Sequence, residues 1–315
     1  MRRARGRRRR TLDRVDPVFI GAHLGGGRFA PLQLLPAILV AVLYAVRVHH
    51  LQGTTRAVPG WRQACELGGL GLIVLTLASP VSHVSDELFA VHMSEHLLLG
   101  DIATLLIVVG LTGPVIAPVL RLPGMWILRV LAHPVLAFGL WAVNLYTWHL
   151  PALHDAAVRH AGVHALQHAC FIAFGINMWM ALLGPLPKPA WFTNAWKLGY
   201  IVAVRLTGAV LGNILVFGGG VAYDVYAKGE AYWHVSPSAD QAAAGGVMMV
   251  EGSILTICLL AWLFLRTAQQ TEERQDLVEL AQQHGVSLTD ARAARAVAAG
   301  RGDELRERIA APPAE

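Results

Sequence analysis

Residues 148–171 read WHLPALHDAAVRHAGVHALQHACF and lead into an apolar segment. This stretch holds five histidines: His149, His154, His160, His164 and His168. If it is helical, the last three follow one another every four residues, so their imidazoles lie along one helix face over roughly 12 Å. The spacing therefore predicts a ladder of nitrogen ligands at the end of an apolar helix.

A second histidine pair opens another apolar segment. His92 and His96 stand four residues apart in the sequence VHMSEHLLLGD, so a helix would place both on one face. Whether the two sets of histidines meet depends on contacts between helices, which spacing along the chain does not determine.

The composition predicts a membrane protein. The 315 residues are 55% hydrophobic and 15% charged, with a mean hydropathy of +0.47, which is too apolar for an ordinary soluble domain. Apolar stretches of about 20 residues, the length that crosses a hydrocarbon core, lie near residues 32–50, 62–80, 88–112, 129–148, 163–184, 197–218 and 242–265. The predicted fold is therefore all-α: a polytopic bundle of seven transmembrane helices in a lipid bilayer, with a short helical tail.

The predicted organisation has three parts: a basic and glycine-rich segment at 1–30, a membrane domain at 31–265 and a cytoplasmic helical tail at 266–315. Eight of the 26 Lys and Arg lie in the first fourteen residues and seven in the tail. The net charge of +5 thus belongs to the two ends and indicates a topology signal, not nucleic-acid binding. We expect the first segment to be disordered or an upstream mis-start, and the tail helices to break at Gly285 and Gly300.

Positive charges between the apolar stretches predict the orientation. The loops after the first, third and fifth stretches hold the basic residues Arg47, Arg56, Arg62, Arg121, Arg129, Lys188 and Lys197. Such loops are typically cytoplasmic, so the intervening loops are predicted to be external. Nine of the fourteen histidines then lie on the external side: His83, His92, His96, His149, His154, His160, His164, His168 and His234. This one-sided distribution indicates a task on the external face.

The side chains near these histidines favour copper. Neutral imidazole binds copper, zinc and haem iron, while methionine thioethers favour cuprous copper. Met93 adjoins His92, and Met248 and Glu251 lie in the outer half of the seventh stretch. The three cysteines are far apart and form no C-x-x-C pair, so neither a disulfide framework nor a thiolate site is indicated. A purely structural role stays open, because single histidines often hydrogen-bond between membrane helices.

Other polar residues lie deeper in the apolar stretches. Asp101, Arg205 and Glu251 are expensive in hydrocarbon unless they pair or face the bundle interior. We expect an ion pair between Asp101 and Arg205 near the midplane, with a role either in fixing helix register or in transport.

Two blocks of sequence resemble a known family. HMSEHLLLGDIATLLIVVGLTGPV (92–115) and HPVLAFGLWAVNLYTWHLPALHDAAVRHAGVHALQHACF (133–171), followed by the Met-bearing last span, are similar to the CtaG family of cytochrome c oxidase assembly factors. That is a seven-span family of the bacterial plasma membrane, and the resemblance covers roughly residues 30–265. The family's motif histidines would be His92, His96, His149, His164 and His168, with His133 in the H-P dipeptide.

The resemblance implies an assembly factor, not an enzyme, whose partners are cytochrome c oxidase subunits and whose cargo is copper. We therefore expect an external vestibule between the third, fourth and fifth spans, with copper on His92, His96, His164 and His168. Met93, Met248 and Glu251 are candidate further ligands. Two alternatives remain: a membrane haem-binding redox protein, and a copper or proton-coupled permease with a path along Asp101, Arg205 and Glu251. The sequence leaves the oligomeric state open.

Overall fold

A computed structural model describes residues 31–79, 81–298 and 300–311, and all regular structure in these ranges is helical. The expectations for residues 1–30 lie outside the described residues. The principal helices are α1 (Pro31–Leu51), α2 (Gly60–Ala78), α3 (Phe89–Gly110), α4 (Pro134–Trp148), α5 (Pro151–Arg159), α6 (Ala161–Leu182), α7 (Asn194–Phe217), α8 (Pro237–Gln283), α9 (Asp290–Ala298) and α10 (Gly302–Ala310). Shorter helical turns lie in the connections, at Val81–Val84, Gly113–Leu120, Ile127–Leu131, Asp224–Tyr226 and Ala227–Tyr232. The all-helical prediction is confirmed for the described residues.

Five of the described helices are long and apolar enough to cross a membrane: α1, α3, α6, α7 and α8. The first two turns of α2 carry Arg62, Gln63 and Glu66, which lower its mean hydropathy, and α4 has only 15 residues. Large apolar side chains also face outward, as at Phe217, which is 75% exposed, and Phe264, which is 74% exposed. Apolar surface of this extent suits contact with lipid. The protein is therefore a membrane protein, and the count of seven spans stays a prediction.

Helix α3 changes its hydrogen-bonding pattern partway along. Residues Leu98–Ala103 form a π-helical turn directly after His96. Such a turn disturbs the regular backbone ladder, and here the Asp101 carbonyl accepts hydrogen bonds from Thr104 Oγ1 (3.1 Å) and Trp179 Nε1 (3.1 Å). The turn separates the histidine-bearing first part of α3 from its deeper, apolar part.

Small residues let α3 and α6 approach closely. A Cβ atom built on Gly175 of α6 would run into the carbonyl oxygen of Gly100 on α3 and would lie 2.9 Å from Thr104 Oγ1. Backbone contact of this kind is typical of small residues at membrane-helix interfaces. It holds the histidine-bearing ends of the two helices side by side.

Basic side chains cap helix ends away from the histidines. Arg62 Nη1 donates to the carbonyls of Val109 (2.8 Å) and Leu111 (3.2 Å), at the carboxyl end of α3. Lys188 Nζ donates to the carbonyls of Met180 (2.9 Å) and Gly184 (3.0 Å), at the carboxyl end of α6. Cations at these positions satisfy free carbonyls and complement the helix dipole. Burial lowers the pKa of Lys188 to about 8, and repulsion from a neighbouring lysine adds to the shift.

The last long helix continues well past the expected end of the membrane domain. Helix α8 has 47 residues and shows no break at residue 265. The chain then turns at Gly285 (φ 66°) and Gly300 (φ 67°), where left-handed backbone favours glycine. Helices α9 and α10 fold back onto α8 through a small apolar core of Leu277, Ala281, Ala293, Val297, Leu305 and Ile309.

Candidate metal centre

The first turns of α3 provide two buried imidazoles. His92 and His96 are 0% and 4% exposed, and their Nε2 atoms lie 2.7 Å apart. The four-residue spacing on a helix produces this convergence, because side chains at i and i+4 lie one above the other. The two Nε2 atoms therefore face each other and share a hydrogen bond.

The first turns of α6 provide two more imidazoles, those of His164 and His168. The rings of His164 and His168 have centroids 4.2 Å apart. His164 stacks on His92 with a centroid distance of 5.1 Å and an interplanar angle of 11°, and His168 lies 5.1 Å from His96. The structure thus brings together the four histidines that were expected to hold the metal.

Two overlapping triads have their ligand atoms close enough to share an ion. One is His92, His96 and His164, and the other is Glu95, His164 and His168; within each, the ligand atoms all lie within 4.8 Å of one another. Nitrogen or oxygen ligands bond first-row metals at about 2.0–2.2 Å, so two ligands of one ion are at most about 4.4 Å apart. Small side-chain adjustments would close either triad around an ion.

Several nitrogens of this cluster lack a hydrogen-bond partner. Both ring nitrogens of His168 and the Nδ1 atoms of His92 and His96 are buried without one among the described residues. The nearest acid to His168 is Glu95, whose Oε1 lies 4.0 Å from its Nε2. Buried polar atoms without partners are uncommon because each costs about 1–3 kcal/mol. Imidazoles gathered in this way fit a metal ion.

A small polar pocket opens beside the second triad. It has a volume of about 90 Å³, and its polar lining consists of Gln33, Ser82, His83, Asp86, Glu95, His164 and His168. His164 Nδ1 lies 4.0 Å from Asp86 Oδ1 at this opening. The pocket provides a hydrophilic approach to the cluster.

His149 and His154 form a second layer behind the cluster. His149 Nδ1 donates to the Leu145 carbonyl (2.7 Å), and His154 Nε2 shares a hydrogen bond with the Tyr226 hydroxyl (2.8 Å). Burial lowers the pKa of His149 to about 4 and that of His154 to about 3, so both rings are neutral near pH 7. His154 lies 4.8 Å from His92 between ring centroids, whereas His149 belongs to neither triad.

The expected three-histidine ladder is wrong at His160. That residue is exposed and has extended backbone (φ −127°, ψ 110°) between α5 and α6, so it is not on the α6 face that carries His164 and His168. The shared face of α6 therefore carries two of the three histidines, His164 and His168.

The other candidate ligands lie elsewhere. Met93 is 2% exposed and packs in the main hydrophobic core. Met248 and Glu251 line a cavity of about 80 Å³ together with Asp101 and Arg205. Glu251 is in neither triad, and its Oε1 is buried without a hydrogen-bond partner among the described residues.

The expected ion pair between Asp101 and Arg205 is not formed. Within the described residues no ion pair joins them, and Arg205 Nη2 donates instead to the Met249 carbonyl (3.2 Å) and to Ser253 Oγ (2.9 Å). The guanidinium bonds to α8 because polar groups of that helix are within its reach, while both side chains still line the same cavity.

Sequence reasoning missed two residues that shape the centre. Glu95 is 4% exposed and belongs to the second triad; a carboxylate inside an apolar stretch and next to a motif histidine was the signal for it. Asp240 accepts from the backbone N–H groups of Phe89 (2.7 Å) and Ala90 (3.0 Å) and so caps α3 from the start of α8. No local pattern marks a cap that comes from 150 residues away.

A multi-spanning helical protein with a buried polyhistidine cluster is the class that this fold and site define. The chain matches the profile of the family described as cytochrome c oxidase caa3 assembly factor (Caa3_CtaG) over residues 42–270. The chain therefore belongs to the Caa3_CtaG family, as the resemblance of its histidine blocks indicated.

Curated relatives occur in mycobacteria. Uncharacterized proteins of Mycobacterium bovis and Mycobacterium tuberculosis are each 27% identical over 274 residues, covering 81% of this chain and 41% of the relative. One from Mycobacterium leprae is 25% identical over 262 residues, covering 77% of this chain and 40% of the relative. The chain thus spans about two fifths of the length of these relatives. No solved structure matches.

Proposed function

We propose that this protein binds copper in the histidine cluster and hands it on during assembly of a haem-copper cytochrome c oxidase. The observation that carries the proposal is the convergence of four imidazoles from α3 and α6, in which nitrogens of His92, His96 and His168 have no hydrogen-bond partner among the described residues. Imidazole is a good ligand for copper in either common oxidation state. Membership in an assembly-factor family supplies the biological setting.

The cluster suits release as well as binding. Each triad has three ligands, and the polar pocket beside Glu95, His164 and His168 gives access from one side. A closed set of four ligands would hold the ion permanently, whereas an incomplete set leaves a position for a ligand of the receiving protein. This arrangement supports transfer without catalytic turnover, with an oxidase subunit as the partner.

We assign the cluster to the external side of the membrane. The carbonyl-capping side chains Arg62 and Lys188 lie at the carboxyl ends of α3 and α6, while the histidines lie at the amino ends of the same helices. Basic residues concentrate on the cytoplasmic side of membrane proteins. The opposite, histidine-bearing end would then face outward, which leaves the helical tail inside.

The geometry favours copper over haem at the α3 pair. The Nε2 atoms of His92 and His96 are 2.7 Å apart, and a metal–nitrogen bond alone takes about 2 Å. Two nitrogens so close cannot bind a haem iron from opposite faces of the macrocycle, although one small ion can use both. An absorption spectrum tests the haem alternative directly, because bound haem gives a Soret band.

The test is the copper content of the full chain in detergent, after loading with copper and removal of loose metal by a chelator. The wild-type protein is expected to retain about one ion per chain, since the triads overlap. The double variant His164→Ala/His168→Ala should retain none, because it disrupts both triads. His49→Ala/His50→Ala is the matched control: these exposed histidines lie at the carboxyl end of α1, and their loss should change nothing.

Two outcomes contradict the proposal. One is a wild-type protein that retains no copper, and the other is an H164A/H168A variant that retains as much as the wild type. In cells that lack the native gene, the same variant should also fail to restore a copper-loaded oxidase, whereas H49A/H50A should restore it.

A further inference from the structure

We infer that copper has two alternative positions in the cluster and that His164 stays bound as the ion moves between them. The inner position is formed by His92, His96 and His164, and the outer one by Glu95, His164 and His168. This inference rests on the proposed function and adds a route for the ion.

The positions differ in their access to the surface. Glu95, His164 and His168 all line the polar pocket, and the His164 side chain is 16% exposed. His92 and His96 do not line that pocket, and His92 is completely buried. An ion arriving through the pocket therefore meets the outer ligands first and reaches the inner ones only through the cluster.

The two positions cannot both be filled through a neutral His164. A neutral imidazole has one nitrogen with a free lone pair, and its other nitrogen carries a proton. His164 is the single residue that the two triads have in common. The protein should therefore bind one ion at a time, in either position, instead of a pair of ions.

Movement between the positions is an exchange of ligands. The bonds from copper to Glu95 and His168 break, bonds to His92 and His96 form, and the bond to His164 remains. No electron is transferred. The Nε2 atoms of His92 and His96 share one proton in the ion-free protein, and for both to bind copper that proton moves to the Nδ1 atom of the same ring. His96 is suited to receive the ion from its neighbour, because its ring lies 5.1 Å from that of His168 and its Nε2 points at His92 Nε2.

The ligand sets also differ in the ions they favour. Three neutral imidazoles form the inner position, whereas the outer one includes a carboxylate whose charge offsets part of the charge of a divalent ion. Carboxylate oxygen prefers harder cations than imidazole or sulfur does. Cupric copper should therefore favour the outer position and cuprous copper the inner one.

The experiment compares two double variants of the full chain. His92→Gln/His96→Gln removes the inner position and keeps the outer one, and Glu95→Gln/His168→Gln does the reverse. Glutamine keeps much of the side-chain volume and polarity, and thermal unfolding would show that both variants are folded. Each is loaded with copper and measured for stoichiometry, for the electron paramagnetic resonance of Cu(II) and for the X-ray absorption of Cu(I).

Each variant is expected to keep about one copper ion, because one position survives. H92Q/H96Q should bind Cu(II) with two nitrogens and oxygen, and should bind Cu(I) more weakly than the wild type. E95Q/H168Q should bind Cu(I) with three nitrogens. Loss of all copper from either folded variant, or two ions in the wild type, would overturn the two-position inference and leave copper binding intact. A wild-type protein without copper would instead overturn the proposed function.

Discussion

Two buried polar sites lie along α3, and they are built differently. The histidine cluster at the first turns gathers imidazoles and one carboxylate, and no Lys or Arg of the described residues lines the pocket beside it. The cavity beside the π-helical turn is lined by the carboxyl groups of Asp101 and Glu251 together with the guanidinium of Arg205. The cavity contains a cation of its own, Arg205, whereas the cluster has the composition that the proposed copper ion would require.

The difference shows what distinguishes a binding site from a structural polar site in a membrane interior. Charged groups buried in hydrocarbon need opposite charges or hydrogen bonds nearby. Arg205 meets that need by bonding to a carbonyl and a hydroxyl of α8. His168 makes no hydrogen bond among the described residues, and the carboxylate of Glu95 lies 4.0 Å from its Nε2. Changes in the cavity should therefore lower stability and leave copper content unchanged, whereas changes that disrupt the cluster should lower copper content.

The largest effect is expected at the contact that holds the cluster together. Gly175→Val would press a branched side chain against the Gly100 carbonyl and Thr104, forcing α6 away from α3. We expect a loss of about 1–3 kcal/mol in the free energy of unfolding, together with loss of copper. Gly162→Val in the same helix is the control, since a Cβ there meets nothing within 4 Å. Full copper binding by G175V would show that the helix contact does not assemble the cluster.

Substitution of Arg205, the cationic side chain in the cavity, should lower the free energy of unfolding without changing the copper content. Arg205→Met removes the hydrogen bonds to Met249 and Ser253 and leaves two carboxyl groups without their cation. The expected loss is about 1.5–3 kcal/mol, the usual range for hydrogen bonds to a charged group. Adding Glu251→Gln should restore part of it, and copper content should stay at the wild-type value. If R205M loses copper, the cavity and the cluster form one site.

A smaller loss of stability is expected when the Asp240 cap on α3 is weakened. Asp240→Asn keeps one carbonyl oxygen and loses the charged acceptor for the N–H groups of Phe89 and Ala90. We expect thermal unfolding to show a loss of about 1 kcal/mol, within the range for helix caps. Asp224→Asn, at an exposed residue of the connection between α7 and α8, is the control. Equal effects of the two variants would mean that the cap contributes nothing specific.

The smallest effect is expected at the hydrogen bond between Tyr226 and His154, next to the cluster. Tyr226→Phe removes the hydrogen bond that orients His154, whose ring packs against His92. A hydrogen bond of about 1 kcal/mol corresponds to about a fivefold change in affinity, which competition with a copper chelator would measure. Tyr232→Phe alters an exposed residue and should leave the affinity unchanged. Complete loss of copper in Y226F would mean that this layer belongs to the ligand set.

The part of the site that the sequence predicts is the part determined by a single helix. The four-residue spacing of His92 and His96, and of His164 and His168, brings each pair together once the segment is helical. The pairing between helices depends on the backbone contact of Gly100 with Gly175. Glycines in apolar helices are common, so no spacing rule could identify these two as the contact.

The sequence predictions that differ from the structure also have local causes. His160 was expected on the ladder because the pattern runs through it, yet α6 begins just after it without a side-chain cap that would signal the break. Met248 and Glu251 share a helix face, but α8 carries that face to the acidic cavity instead of the histidines. The boundary predicted at residue 265 marks where the apolar stretch ends, and the helix itself continues through polar residues to Gln283.

Helix α8 is continuous, so a displacement at one end is transmitted to the other. At 1.5 Å per residue, its 47 residues extend about 70 Å, from the carboxylate that caps α3 to the small helical tail. A protein bound to α9 and α10 is therefore attached to the far end of α8. A tilt of α8 would displace the first turn of α3, the helix that bears His92 and His96. Under the proposed function, binding of an oxidase subunit to α9 and α10 would in this way alter the geometry of the histidine cluster.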